Sequence, residues 1–181
     1  KMIFRGKINT EILAQLRGRG IDAVGLSGVD GGVIKAVRRP PKNVVNKETG
    51  QVESVDYGNV GDIVEINTHL LELLLGGGYL PVISSLAADD KGKVFNINAD
   101  TIAAEIAVSL KAEKLILLSD VNGIYLDPND RSSKLDRLST VDAFKMIKSG
   151  KATGGMIPKL QSLASLLSRG VGSAHVISGS E

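Results

Sequence analysis

The sequence contains no cysteine, which excludes disulfides, thiolate metal sites and a cysteine nucleophile. Its two histidines, His69 and His175, are widely separated and offer no metal-ligand spacing. No apolar run approaches the roughly 20 residues that a membrane helix needs, and the residues from Lys1 onward carry no signal-peptide layout. Charge of one sign is lacking too, because 22 basic and 20 acidic residues leave a formal net charge of +2. That balance creates no strong field for nucleic acid or a membrane surface, so small or balanced ligands are expected. Neither Walker A nor GxGxxG spacing occurs, and there is no internal repeat, low-complexity tract or clear linker. The missing cysteines fit a cytoplasmic protein.

What is present is a globular composition, 43% hydrophobic and 23% charged over 181 residues, enough for one core or a little more. The chain opens on Lys1 in a segment that reads as already inside a fold, so a fragment is expected. Asn9 is placed to cap a helix with Ile12, Leu13 and Leu16 inward, ended by Gly18 and Gly20 before a strand from Ala23. The glycine-rich SGVDGG that follows, 27–32, reads as a tight turn. After a short strand at 33–37, two prolines and a Lys-Glu-Thr-Gly turn predict a protruding hairpin near 38–58. Its basic start, Arg38, Arg39 and Lys42, suits either solvated surface or an acidic partner.

A strand at 62–66, a helix capped by Asn67 with Leu70, Leu71 and Leu74 inward, and a strand at 80–84 form a strand-helix-strand unit. Further on, Ile102, Ile106 and Leu110 share one helical stripe, and the run 115–118 reads as a strand covered on both faces. Ser139 and Asp142 frame a capped helix with Phe144 and Ile147 inward. Leu160, Leu163, Ala164 and Leu167 give the last helix its buried face, before a strand at 174–177. This alternation predicts an α/β fold with a largely parallel sheet.

Three clusters fall at junctions where such folds bind ligands. In FNINADTIAAE, 95–105, Asn96 and Asn98 lie two apart in an extended approach and Asp100 sits in the first helical turn, where free N–H groups favour an anion. Ordinary capping is the competing reading of the same residues. SDVNGIY, 119–125, follows a buried strand at its carboxyl end. KATGGMIPK, 151–159, brings paired glycines, a proline suited to a helix start and one lysine. Phosphoryl transfer suits these parts, since it depends on positioning and charge neutralisation. With a carboxylate acceptor, already ionised at neutral pH, the obstacle is the meeting of two anions. A lysine such as Lys159 answers it, with Asp100 to orient the lysine and Asn96 to hold the acceptor. A solvated lysine at a helix end is the alternative.

GKIN at 6–9, GLSGVDG at 25–31, GYLPVIS at 78–84, FNINADT at 95–101, AEKLILLSDVNGI at 112–124 and GGMIPK at 154–159, taken together and in this order, resemble the N-acetylglutamate kinases of the amino-acid kinase family. The resemblance covers nearly the whole chain. It implies a three-layer α/β/α sandwich and ATP-dependent phosphorylation of the side-chain carboxylate of N-acetyl-L-glutamate, a step of arginine biosynthesis. Residues 1–95 would continue an acceptor-binding lobe and 96–181 would form the ATP-binding lobe of one incomplete domain. Asn96 matches the family's substrate-binding asparagine, with Asn98 in the same motif. Asp100 matches the acid that organises the catalytic lysines, and Lys159 the lysine that stabilises the transition state. Asp120, Val121, Asn122, Gly123, Ile124 and Tyr125 match a segment that contacts ATP. Lys151, Ala152 and Thr153, with Gly155 of the glycine pair beside them, match a second. Magnesium would ride on the ATP phosphates with few direct protein ligands, and a homo-oligomer is implied.

The family's N-terminal lobe also supplies a second catalytic lysine, a glycine pair and a substrate-binding arginine, none of which this sequence contains. These 181 residues alone are therefore expected to bind nucleotide and to turn over poorly or not at all. Two other readings stand beside this one. The basic KAVRRPPK resembles kinases that act on aminoadipate or glutamate carried by an acidic carrier protein, and the missing lobe suits a non-catalytic nucleotide-binding or regulatory subunit.

Overall fold

The computed structural model describes residues 2–45, 50–119, 123–125, 130–135, 137–150 and 156–179. The chain divides into two units, 1–102 and 103–181. In the first, a π-helical segment Met2–Ile8 runs straight into helix α1 (Asn9–Arg17), and strand β1 (Ala23–Ser27) follows. A short 3-10 turn, Asp30–Gly32, leads to β2 (Ile34–Arg38), the hairpin strands β3 (Lys42–Val45) and β4 (Val52–Val55), and β5 (Gly61–Ile66). Then come α2 (His69–Gly76), β6 (Leu80–Ser84), β7 (Leu86–Ala88), β8 (Val94–Asn96) and α3 (Ala99–Ser109), within which the division falls.

Strands β1 and β6 pair in parallel, with Gly25 opposite Val82 and Ser27 opposite Ser84. Helix α1 packs on this pair unusually closely, because a Cβ on Gly25 would lie 2.0 Å from Asn9 Oδ1. Asn9 is therefore not the cap that the sequence suggests. The residue before it is already helical, so Asn9 has no free helix end to cap, and its buried amide donates to the Val82 carbonyl at 3.1 Å instead. Ile12 is turned to solvent, while Leu13 and Leu16 are half-buried as expected. Asn67 does serve α2, its Oδ1 accepting the His69 N–H, and Leu71 is buried on the inward stripe between half-buried Leu70 and Leu74.

The expected pairing around α2 is not found. β6 joins β1, whereas β5 lies in a four-stranded sheet of order β5-β2-β7-β8 that mixes parallel and antiparallel neighbours. The reason is local, since β5 returns antiparallel beside β2 once the β3–β4 excursion is complete. Val33, Ile34, Ala36, Ala87 and Phe95 make the dry centre of this sheet. Gly61 permits it, as a Cβ there would meet Phe95 Cβ at 2.7 Å.

The second unit contains the rest of α3, β9 (Lys114–Ser119), β10 (Ile124–Tyr125), β11 (Lys134–Leu135), α4 (Thr140–Lys148), α5 (Met156–Ser168) and β12 (Ser173–Ser178). β9 and β12 run parallel in continuous register from Lys114 opposite Ser173 to Ser119 opposite Ser178. Ala107 of α3, Leu166 of α5 and Val171 form a buried cluster against which Leu115 and Ala174 pack. Among the described residues, the apolar run of β9 is covered on that face only. Ile116 and Leu118 on the other face are 56% and 71% exposed, against the expectation of two covered faces. α4 starts as expected, with Ser139 Oγ accepting the Asp142 N–H at 3.0 Å. Its buried residues are Ala143 and Met146, which pack with Leu160, and Ile147 packs against them as expected, whereas Phe144 lies half exposed. Among the described residues no helix is long and apolar enough to cross a membrane.

Candidate functional site

The mouth of α3 is built from an alternation of buried and exposed residues. Phe95 and Ile97 are sunk in the core of the first unit at 1% and 3% exposure, and this throws the intervening Asn96 and the following Asn98 outward. Asn96 is held by its backbone, since it pairs with Leu86 across β7 and β8 and its N–H donates to the Asn59 carbonyl at 2.8 Å. Asn98 does the capping, with Oδ1 accepting from the Thr101 N–H at 3.0 Å and from the Thr101 hydroxyl at 3.3 Å. One asparagine thus meets the need that capping describes. Asp100 stands exposed in the first turn of the helix. Among the described residues, neither its carboxylate nor the Asn96 amide has a side-chain hydrogen bond or ion pair.

A polar cluster that sequence reasoning passed over lies at the carboxyl end of β1. Asp30 Oδ2 accepts both the Ser27 N–H and the Ser27 hydroxyl at 2.7 Å, and Arg5 Nη2 approaches the same oxygen at 3.4 Å. Partial burial pushes the Asp30 carboxyl up, but the Ser27 bonds and then the Arg5 guanidinium outweigh it and hold it below the ordinary aspartate value. The turn SGVDGG is tight, as expected, and Gly31 at φ 61° and Gly32 at φ 64° have the backbone that only glycine adopts readily. The Ser-x-x-Asp spacing was the available signal, a side chain closing back on its own turn. Beside Ser27, the Ser84 hydroxyl is buried and has no hydrogen-bond partner among the described residues.

At the hairpin base two of the three basic residues, Arg38 and Arg39, are already paired. Arg38 Nη2 contacts Asp56 at 2.6 Å, and both Arg39 Nε and Nη2 donate to Asp62 Oδ1, at 2.9 and 2.6 Å. Arg39 also lies over the Tyr57 ring.

The sequence-predicted nucleotide residues belong to the second unit. Asp120, Val121, Asn122, Lys151, Ala152, Thr153 and Gly155 lie outside the described residues. Gly123 is described at φ 106°, with Lys134 beside it, and Ile124 and Tyr125 pair with Leu135 and Lys134. Lys159 lies in the first turn of α5, and its side chain is outside the description. A cavity of about 660 Å³ opens in this unit, lined among others by Gly123, Lys134, Arg137, Ser139, Leu160 and Ala164. Cations and a hydroxyl over an apolar floor suit an anionic ligand with a flat apolar part. Among the described residues no group of three His, Cys, Asp or Glu could hold a metal ion.

The chain is 45% identical over 179 residues to the acetylglutamate kinase of Methanocaldococcus jannaschii and 44% identical to that of Carboxydothermus hydrogenoformans, with 99% of the chain covered in each case. It spans 59% and 60% of the lengths of those curated relatives. Among solved structures it is similar to an N-acetylglutamate synthase from Neisseria gonorrhoeae complexed with coenzyme A and N-acetyl-glutamate. There the TM-score is 0.75 at 26% identity, covering 98% of this chain and 37% of that one. The model of the amino acid kinase family matches residues 1–178, and the chain, built from α/β units of the expected class, belongs to the amino acid kinase family.

Proposed function

We propose that the natural polypeptide containing this chain transfers the γ-phosphoryl group of ATP to the side-chain carboxylate of N-acetyl-L-glutamate, in cytoplasmic arginine biosynthesis. The observation that carries this is the mouth of α3, where Asn98 alone meets the capping need and leaves the Asn96 amide and the Asp100 carboxylate unengaged. They stand so in a chain 45% identical to an acetylglutamate kinase. Residues 1–95, with Asn96 and Asn98 at the junction, then serve the acceptor, and the remainder of 96–181 serves the nucleotide.

The acceptor carboxylate is ionised at neutral pH and needs no base. One of its oxygens attacks the γ-phosphorus, the bond to the bridging oxygen of ADP breaks, and that oxygen keeps the electron pair. Asn96 hydrogen-bonds the acceptor, and Lys159 neutralises the phosphoryl oxygens in transit. Asp100 orients the lysine. Asp120 to Tyr125, with Lys151, Ala152, Thr153 and Gly155, contact ATP, whose phosphates carry Mg²⁺ with few protein ligands. The cations around the second unit's cavity support an anionic ligand there. Assembly as a homo-oligomer is part of the same proposal.

A carrier-bound acceptor is disfavoured, because Arg38 and Arg39, which would greet an acidic carrier, are engaged by Asp56 and Asp62. The test is ADP release by the natural polypeptide with ATP and Mg²⁺, comparing N-acetylglutamate, glutamate and a carrier-linked acid. Release dependent on N-acetylglutamate is expected. Nucleotide binding without turnover of any acceptor would instead establish a non-catalytic subunit.

A further inference from the structure

Gly28 is pinned through both of its backbone polar groups. Its N–H donates to the Leu86 carbonyl and its carbonyl accepts from Ile34 N–H, each at 2.7 Å. A Cβ on Gly28 would lie 2.6 Å from both the Leu86 oxygen and Ile34 Cβ, so the β1 turn bears directly on the β7 backbone. Leu86 is the register partner of Asn96, and the Ser85 carbonyl accepts the Ile97 N–H at 3.0 Å. Hence the backbone that presents Asn96 is braced from behind by the turn that starts at Ser27. That turn is closed by one side chain, Asp30, which takes both Ser27 donors on a single oxygen and meets Arg5 there.

We propose that Asp30 is a positioning residue of the acceptor site, holding the Ser27–Gly28 turn against β7 so that Asn96 is presented in a fixed place. The proposal rests on the acceptor role of Asn96 given above. Asp30 touches no reacting atom in it. Displacement of Asn96 by a fraction of an ångström weakens the hold on the acceptor and leaves the nucleotide side alone.

The experiment has two arms on the natural polypeptide. In the kinetic arm, Asp30→Ala is expected to raise KM for N-acetylglutamate on the order of 10-fold while KM for ATP stays within about twofold. Asp30→Asn keeps an oxygen for the Ser27 donors and should restore most of that loss. A merely structural residue would lower the active fraction and move neither KM. In the second arm, hydrogen exchange of the 86–97 segment is compared with that of α4 in the second unit. Exchange at Asn96 and Ile97 should speed up in Asp30→Ala while α4 is unchanged. Should Asp30→Ala fail to fold, Ser27→Ala removes one donor and is expected to move both readouts in the same direction by a smaller factor. Unchanged exchange at Asn96 overturns the proposal whatever the activity, and so does an acceptor KM within about twofold of the parent's. A parent that never turns over N-acetylglutamate, with exchange at Asn96 responding to Asp30, sinks the functional reading and leaves the brace standing.

Discussion

At the scale of single residues, the weight of the proposed chemistry falls on Asn96, Asp100 and Lys159. Lys159 is expected to be the group that meets charge developing on the phosphoryl oxygens, so Lys159→Ala in the natural polypeptide should lower kcat on the order of 100-fold, with ATP affinity less affected. Steady-state kinetics beside nucleotide titration check this, and near-normal turnover would remove Lys159 from the mechanism. Ser84 makes a contrasting case. Its hydroxyl is buried with no partner among the described residues, although Ser27 beside it is engaged by Asp30. A buried hydroxyl without a partner costs about 1–3 kcal/mol. Ser84→Ala should therefore leave Tm level or raise it, by up to roughly 4 °C for a chain of this size. A fall of several degrees in a thermal melt would mean that the hydroxyl is satisfied after all.

At the scale of elements, the second unit ties α3 to the residue that follows α5. Arg169 Nη1 and Nη2 meet Glu105 Oε1 and Oε2 at 2.6 and 2.8 Å, a bidentate pair that fixes direction as well as distance. The Arg169 bonds hold the Glu105 carboxyl below the ordinary glutamate value, against a smaller upward push from burial. Because the arginine side chain is 44% exposed, solvent screening keeps the pair to about 0.5–1 kcal/mol. A carboxyl whose folded pKa is depressed contributes above its unfolded value and loses that contribution as pH falls through the folded value. Glu105→Gln should thus melt roughly 1–4 °C below the parent at neutral pH. The gap should close progressively as pH falls from the unfolded value of 4.5 through the lower folded value of Glu105. A gap that stays constant down to pH 3 would assign the loss to packing instead.

At the scale of the whole chain, helices and strands were legible in the sequence because glycines and caps punctuate them: Gly18 ends α1, Gly77 caps α2 and Ser139 opens α4. The shared outward direction of Asn96 and Asn98 was legible from their two-residue spacing in an extended segment, and Phe95 before them and Ile97 between them are buried. What periodicity does not carry is the identity of a neighbour. The partner of β5, the outward turn of Phe144 and the open face of Ile116 and Leu118 are settled by which element packs where. Asp30 escaped notice because its partner is its own turn, and a bond that closes locally leaves no long-range pattern. Such local closure has a consequence for the chain as a whole. Among the described residues, the carboxylates with displaced pKa values, Asp30, Asp56, Glu105, Asp130 and Asp142, are all displaced downward. For Asp56, Asp130 and Asp142 the leading cause is a nearby backbone N–H or serine hydroxyl, and guanidinium or ammonium charge comes after it or is absent. The folded state therefore binds fewer protons than the unfolded one in the acid range, so stability falls as pH drops past the unfolded values of 4.5 for Glu and 3.8 for Asp. Thermal melts should give a Tm that is level from about pH 7 to 5 and declines steadily below about 4.5. Added salt should change that decline little, because hydrogen bonds closed within a turn are not screened as separated charges are. A decline that vanished in salt would show instead that charge pairs such as Arg38–Asp56 carry the acid sensitivity.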